Sequence, residues 1–273
     1  MDLDRVATYH AKHAPQALLV YDGSRLVFER YDDGYSADRS HALYSGTKSF
    51  WGVAAVAAQA DGLLELDEPV CETIHAWKAE AWRARITLRQ LLTLSAGIGF
   101  GGLGNAVPTY ERALDVDIKN EPGSTFTYGG IPLQVFGAVM ARKLAPRTPH
   151  DYLRERLLSP IGVGVSSWRE LKDGTHPLPT GAFVTAQNWA TYGRFLCTGA
   201  PNVLSAEDLA QCFVPSATNA RYGLGFWLAG NGVAYASGSG GQALYLQRER
   251  GIVAVRFGKS SWRHESFIKA LLA

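Results

Sequence analysis

The chain is short of each feature that would set it apart from ordinary globular proteins. It has no surplus of charge: Lys+Arg 27 against Asp+Glu 25 leaves +2 over 273 residues. Such a balance cannot build a surface that neutralises a row of phosphates. Arg83, Arg85 and Arg89, the nearest approach to a basic cluster, are interleaved with apolar residues. Nucleic acid is therefore not an expected partner. Nor is a membrane: the longest weakly polar stretch, Phe50 to Ala60, falls well short of the ~18 apolar residues a span requires. The opening Met1-Asp2-Leu3-Asp4-Arg5 is acidic, with no basic segment leading into an apolar run. A cytoplasmic location is the expectation, or a periplasmic one if a leader has been removed. Cysteine is scarce too. Cys71, Cys197 and Cys212 lie far apart, form no C-x-x-C pair and show no metal spacing, so buried thiols in a reducing compartment are expected.

What the chain has in plenty is glycine. Its 29 glycines amount to about one residue in ten, against a usual ~7%. Five lie between Gly97 and Gly104, and seven between Gly223 and Gly241. A hydrophobic fraction of 47% and a charged fraction of 19% indicate a folded domain, and the length suits one large domain or two interlocked small ones. Val6 to His13 reads as a helix. Ala17–Tyr21 and Arg25–Tyr31 read as a hairpin around Asp22-Gly23, a pair that favours a primed turn. From Ser45 to Ala60 the pattern is helical and rich in alanine. Between about Leu63 and Gly199, helical stretches alternate with Pro and Gly loops; one runs from Ala186 to Thr198, with Thr185 as N-cap and Gly199 as stop. Strands return at Tyr222–Leu228, Val233–Tyr235, Ala243–Gln247 and Ile252–Phe257, before a helix from Trp262 to Leu272. Strands at both ends predict an α/β architecture in which residues 1–62 and 200–273 form a sheet lobe around a helical lobe, 63–199.

Several motifs fail on their surroundings. Gly99-Phe100-Gly101-Gly102-Leu103-Gly104 fits G-x-G-x-x-G, but it follows the helical stretch Leu88–Leu94 and leads into Asn105-Ala106-Val107-Pro108, not into a phosphate-binding helix. Gly258-Lys259-Ser260 resembles the end of a P-loop, yet the preceding Gly251 is separated from it by six residues of an apolar strand, not four. His10 and His13 share a helix face without a Glu between them or a third ligand, and read as solvated. His264-Glu265 lacks a second His, and no G-x-S-x-G elbow is present.

Ser45-Gly46-Thr47-Lys48 survives. Ser-x-x-Lys alone proves little, but this Ser lies where a helix should begin and Lys48 falls on the same helical face. An amide at a helix N-terminus faces developing negative charge favourably. Lys48 is flanked by Phe50, Trp51 and Val53, and burial there would lower its pKa and make it a base toward the Ser hydroxyl. The bland alternative is an N-cap Ser with an ordinary surface Lys.

Three further segments stand in order: Asp61-Gly62-Leu63-Leu64-Glu65-Leu66-Asp67-Glu68-Pro69-Val70, then Ile86-Thr87-Leu88-Arg89-Gln90-Leu91-Leu92-Thr93-Leu94-Ser95-Ala96-Gly97, then Glu121-Pro122-Gly123-Ser124-Thr125-Phe126-Thr127-Tyr128. With Tyr44–Phe50, they resemble the serine β-lactamase and penicillin-binding superfamily, and within it class C β-lactamases and the esterases that share their fold. The resemblance implies an antiparallel sheet flanked by terminal helices, with an inserted helical lobe and a cleft between them. It implies Ser45 as nucleophile, with Lys48 and Tyr128 managing its proton, and no metal or organic cofactor. It also exposes two departures. The second motif should be Tyr-x-Asn, but Gly129-Gly130 follows Tyr128, so Gly130 stands where a carboxamide would hold the substrate. The third motif, Lys-Thr-Gly or His-x-Gly in relatives, falls on Tyr235-Ala236-Ser237 or on Ser237-Gly238-Ser239, and neither register supplies a cation. The amides of Ser45 and near Gly238 would form the oxyanion site, with Ser237 and Gly130 lining it.

Losing both the carboxamide and the cation argues for a neutral ester or small amide as substrate. A β-lactamase or D-Ala-D-Ala carboxypeptidase is the alternative enzyme, and a lapsed enzyme that keeps its cleft as a binding site is the alternative class.

Overall fold

The two ends of the chain meet in one sheet. In the computed structural model, which describes residues 1–273, α1 (Leu3–Ala11) leads into the hairpin β1 (Pro15–Asp22) and β2 (Arg25–Tyr31). Gly23 takes φ +59° at the first loop position, where a primed turn places glycine. A short β3 (Ser40–Ala42) precedes the helical part, which carries α2 (Lys48–Ala60), α3 (Leu88–Leu92), α4 (Tyr110–Ala113), α5 (Ile131–Leu144) and α6 (Pro149–Leu153). Then follow β4 (Ser167–Trp168), β5 (Ala182–Thr185), α7 (Ala186–Thr198) and α8 (Ala206–Ala210). The chain closes with β6 (Trp227–Leu228), β7 (Val233–Gly238), β8 (Gln242–Gln247), β9 (Ile252–Gly258) and α9 (His264–Leu272). The main sheet has six strands in the order β2-β1-β9-β8-β7-β6, all neighbours antiparallel, and a small sheet runs β3-β5-β4.

Period-two alternation sorts the main sheet's side chains between two covered faces. Leu18, Val20, Tyr245 and Ala254 meet Val6, Phe267 and Leu271 of the terminal helices. Leu19, Leu244, Val253 and Val255 face inward, toward Trp189 and Phe195 of α7. With both faces buried, the strands read as nearly unbroken apolar runs. His10 and His13 depart from the solvated reading. Because α1 lies against β1, His10 is fully buried, with Nε2 3.2 Å from Asp32 Oδ2, and burial followed by Arg256 pushes its pKa down to about 4. His13 is half-buried, its Nδ1 2.7 Å from Tyr9 O and its ring edge-on to Trp262.

α7 keeps the bounds its sequence signals announce: Thr185 Oγ1 accepts from Asn188 N at 3.1 Å, and Gly199 turns out of the helix at φ +69°. Its position is less obvious from sequence, for it packs against β9, β8 and β1. Gly193 allows this approach, since a Cβ there would press on Leu244 Cδ1 and Val253 Cγ1 at 2.7 Å.

The expected strand Tyr222–Leu228 shortens to β6. Its first half is bent because Gly223-Leu224-Gly225 threads beneath the start of α2. Gly225 sits at φ +81°, where a Cβ would come within 2.6 Å of Lys48 O, and a Cβ on Gly52 would run into the Leu224 carbonyl.

Candidate active site

The serine motif sits where the sheet meets the helical part. Tyr44 to Thr47 form a 3₁₀ turn that runs straight into α2, so Ser45 lies one turn ahead of the α-helix and not at its cap. Tyr44 holds φ +47°, a conformation costly for a bulky side chain, and this bend presents the next residue at the surface of the turn. Three contacts brace the turn: Gly46 N donates to Leu43 O at 2.9 Å, Leu43 N donates to Ala182 O at 2.9 Å, and Gly46 rests on Trp189. A Cβ on Gly46 would lie 3.1 Å from Trp189 Cζ2.

Lys48 opens α2 and is buried, 1% exposed. Its Nζ lies 3.2 Å from Ser45 Oγ and donates to Pro179 O at 3.3 Å. Burial, with no carboxylate to offset it, lowers its pKa to about 7. A large share of Lys48 is therefore the neutral amine near neutral pH, with a lone pair for the serine proton.

Tyr128 completes the cluster. Lys48 Nζ stands 4.8 Å from the centroid of its ring, and the ring is stacked on Trp227 at 5.6 Å and 23°. Tyr222 meets both rings edge-on, at 6.3 Å from Tyr128 and 5.0 Å from Trp227. Burial raises the Tyr128 pKa, and contact with Ser45 offsets part of that rise. The phenol is thus protonated near neutral pH.

The remaining expected site residues fall as follows. Gly130 is buried at the start of α5, its N–H donating to Gly101 O at 2.9 Å. A Cβ there would run into the Gly102 carbonyl oxygen and lie 3.0 Å from Pro179 Cγ. The loop from Gly99 to Gly104 therefore occupies the space an asparagine would need, so the glycine-rich loop and the missing carboxamide are one structural fact. Gly238 ends β7 against the nucleophile turn, where any Cβ would meet the Leu43 carbonyl oxygen. Ser237 points to the opposite face of the sheet, its Oγ 3.0 Å from His264 Nε2. Ser45, Lys48, Tyr128 and Gly238 are thus gathered at one place, while the Ser237 side chain is turned away.

Pro179, Tyr222 and Trp227 are site neighbours that the sequence reading missed. The aromatic pair was visible only as part of an apparent strand, and nothing local marks the Pro179 carbonyl as an acceptor for a lysine. A cavity of about 770 Å³ lies in the helical part by His150, Trp168 and His176. Trp168 packs against Phe50 and Trp51 of α2 between that cavity and the cluster. No group of His, Cys, Asp and Glu side chains is arranged to hold a metal.

A six-stranded antiparallel sheet under terminal helices, with a helical insertion and a Ser-Lys-Tyr cluster at their junction, defines the serine β-lactamase fold. The family model described as Beta-lactamase matches residues 5–267, and the chain belongs to that family, part of a superfamily of serine hydrolases. Solved structures share the fold at low identity. EstCE1, a hydrolase with promiscuous acyltransferase activity, aligns with TM-score 0.82 and 16% identity over 99% of this chain and 98% of its own. A D-stereospecific amidohydrolase from Streptomyces sp. aligns with TM-score 0.78 and 17% identity over 99% of this chain and 98% of its own. A penicillin binding protein from Bacillus halodurans aligns with TM-score 0.76 and 16% identity over 98% of this chain and 99% of its own. Among curated protein sequences, none matches this chain.

Proposed function

We propose that the protein is a serine hydrolase that cleaves a small ester or amide through a covalent acyl-Ser45 intermediate. The observation that carries this reading is Lys48: a buried amine with no carboxylate partner, its Nζ 3.2 Å from Ser45 Oγ. A structural lysine would be exposed or paired; one held near pKa 7 beside a hydroxyl is suited to proton transfer. Ser45 Oγ attacks the carbonyl carbon while its proton passes to Lys48. The resulting oxyanion is held by the Ser45 amide and an amide at the end of β7 beside Gly238. Collapse breaks the bond to the leaving group, which takes a proton from Tyr128, itself resupplied by Lys48. Water then attacks the acyl-serine by the same route in reverse.

The substrate class follows from what the cleft walls offer. Gly130 has no side chain and no room for one, and β7 presents no cation toward the nucleophile. The anchors that grip an acylamino β-lactam are therefore missing, which favours a compact ester or amide. The hydrolase and amidohydrolase among the structural neighbours are in keeping with this choice.

Intact-mass measurement after treatment with a fluorophosphonate is the decisive experiment. One adduct, absent from Ser45→Ala, is expected, together with hydrolysis of p-nitrophenyl butyrate and poor turnover of a chromogenic cephalosporin. No adduct at all would leave a lapsed enzyme that binds without acylation. Fast cephalosporin hydrolysis would make the protein a β-lactamase instead.

A further inference from the structure

β7 lacks the cation found there in relatives, but two other cations come close from distant parts of the chain. Arg39 precedes β3, and Lys259 follows β9. Their charged ends lie 5.2 Å and 5.8 Å from the centroid of one and the same ring, that of Tyr35. Neither pairs with a carboxylate, and Arg39 makes only a long bond, 3.4 Å, to Gly34 O. Both also line one small hollow beside Tyr35, where an anion would meet two cations. Behind them Arg256 is buried without a carboxylate as well, its guanidinium donating to Gly240 O at 2.9 Å and Gly241 O at 2.7 Å.

The platform beneath the two cations is rigid and leads to the nucleophile. Gln16 Nε2 donates to the Tyr35 hydroxyl at 2.7 Å, and Gln16 Oε1 lies 3.1 Å from His41 Nδ1. The Tyr35 ring stacks on His41 at 5.5 Å, His41 on Phe257 at 4.2 Å, and Phe257 on Trp189 at 5.2 Å. Trp189 is the side chain on which Gly46, next to Ser45, rests. Lys259 also forms part of two adjoining hollows. One, of about 160 Å³, includes Tyr44, the residue before the nucleophile, and the other, of about 400 Å³, includes Gly238 and Ser260. No carboxylate lines either hollow.

We propose that Arg39 and Lys259, braced on Tyr35 beside the nucleophile turn, bind a carboxylate carried by the substrate, and so replace from outside β7 the cation that β7 lacks. The inference rests on acylation at Ser45 and replaces the neutral substrate expected from the sequence with an ester or amide that has an anionic end. Charge-assisted contacts to two exposed cations together give a preference of about tenfold, weakened by salt.

The test compares p-nitrophenyl butyrate with mono-p-nitrophenyl succinate, which differs by a terminal carboxylate. The succinate ester is expected to have the higher kcat/KM by about tenfold in dilute buffer, with the ratio shrinking in concentrated sodium chloride. In the double variant Arg39→Gln, Lys259→Gln, the ratio should fall toward one. Calorimetry of Ser45→Ala with disodium succinate reads the site without turnover: heat of binding is expected, and its loss when both cations are also replaced. Equal kcat/KM values in the wild type, or a ratio unmoved in the double variant, would overturn the proposal. Inorganic phosphate that binds at the two cations without competing with the ester would make this a separate anion site and overturn it too. Failure of the acylation reading is a different result, the missing fluorophosphonate adduct, and leaves the succinate titration intact.

Discussion

Lys48 concentrates the chemistry and a stability cost in one side chain. If its neutral amine is the base, kcat/KM for a neutral ester rises with pH and levels off above about 7, the value set by burial; a flat profile from pH 5 to 9 would remove Lys48 from that role. The same shift links to folding. The folded pKa is lowered, so between about 7 and the ordinary value of 10.5 the unfolded chain binds the extra proton and stability climbs with pH. Lys48→Met, of similar length and apolar, should therefore abolish hydrolysis while raising stability at pH 7 by roughly a few kcal/mol, a gain that fades toward pH 10.5. Denaturant melts at both pH values check this. Gly130→Asn, the substitution that would restore the relatives' carboxamide, should do the opposite of a repair. Its Cβ runs into the Gly102 carbonyl, so a loss of about 2 kcal/mol or more is expected, with no gain in cephalosporin turnover.

Among the elements, legibility followed the range of the interactions involved. α7 could be read to the residue because its cap, its apolar face and its terminal glycine are all local. Thr185→Ala should lower stability by about 1 kcal/mol in a thermal or urea melt. The segment from Tyr222 to Phe226 departs from the expected strand because its bend comes from a backbone far away in sequence, the Lys48–Gly52 stretch of α2. The third motif stayed ambiguous by two residues for the same reason: the contact that singles out Gly238 is with Leu43, and no local pattern reveals it. Gly238→Ala tests that contact. Pushing β7 off the nucleophile turn should cut kcat/KM by more than tenfold, a larger effect than its change in Tm would suggest.

At the scale of the whole molecule, the arrangement of strands at both ends around a helical middle was evident from the order of apolar patterns, as was the family, because the matching segments run along most of the chain. The glycine excess was also visible, but its meaning was not. Gly52, Gly102, Gly130, Gly225 and Gly238 mark places where two distant backbones pack directly on each other. The anion-binding pair could not be seen at all, since Arg39 and Lys259 meet only when β3 and β9 are in place. The strand order β2-β1-β9-β8-β7-β6 has a consequence for how the protein comes into being. β1 leaves the ribosome long before its neighbour β9, and the strand that ends at Gly238 arrives long after Ser45. A nascent chain therefore carries Ser45 for a long stretch of synthesis without the strand end that packs against its turn, and the candidate site is assembled only once β7 has been made.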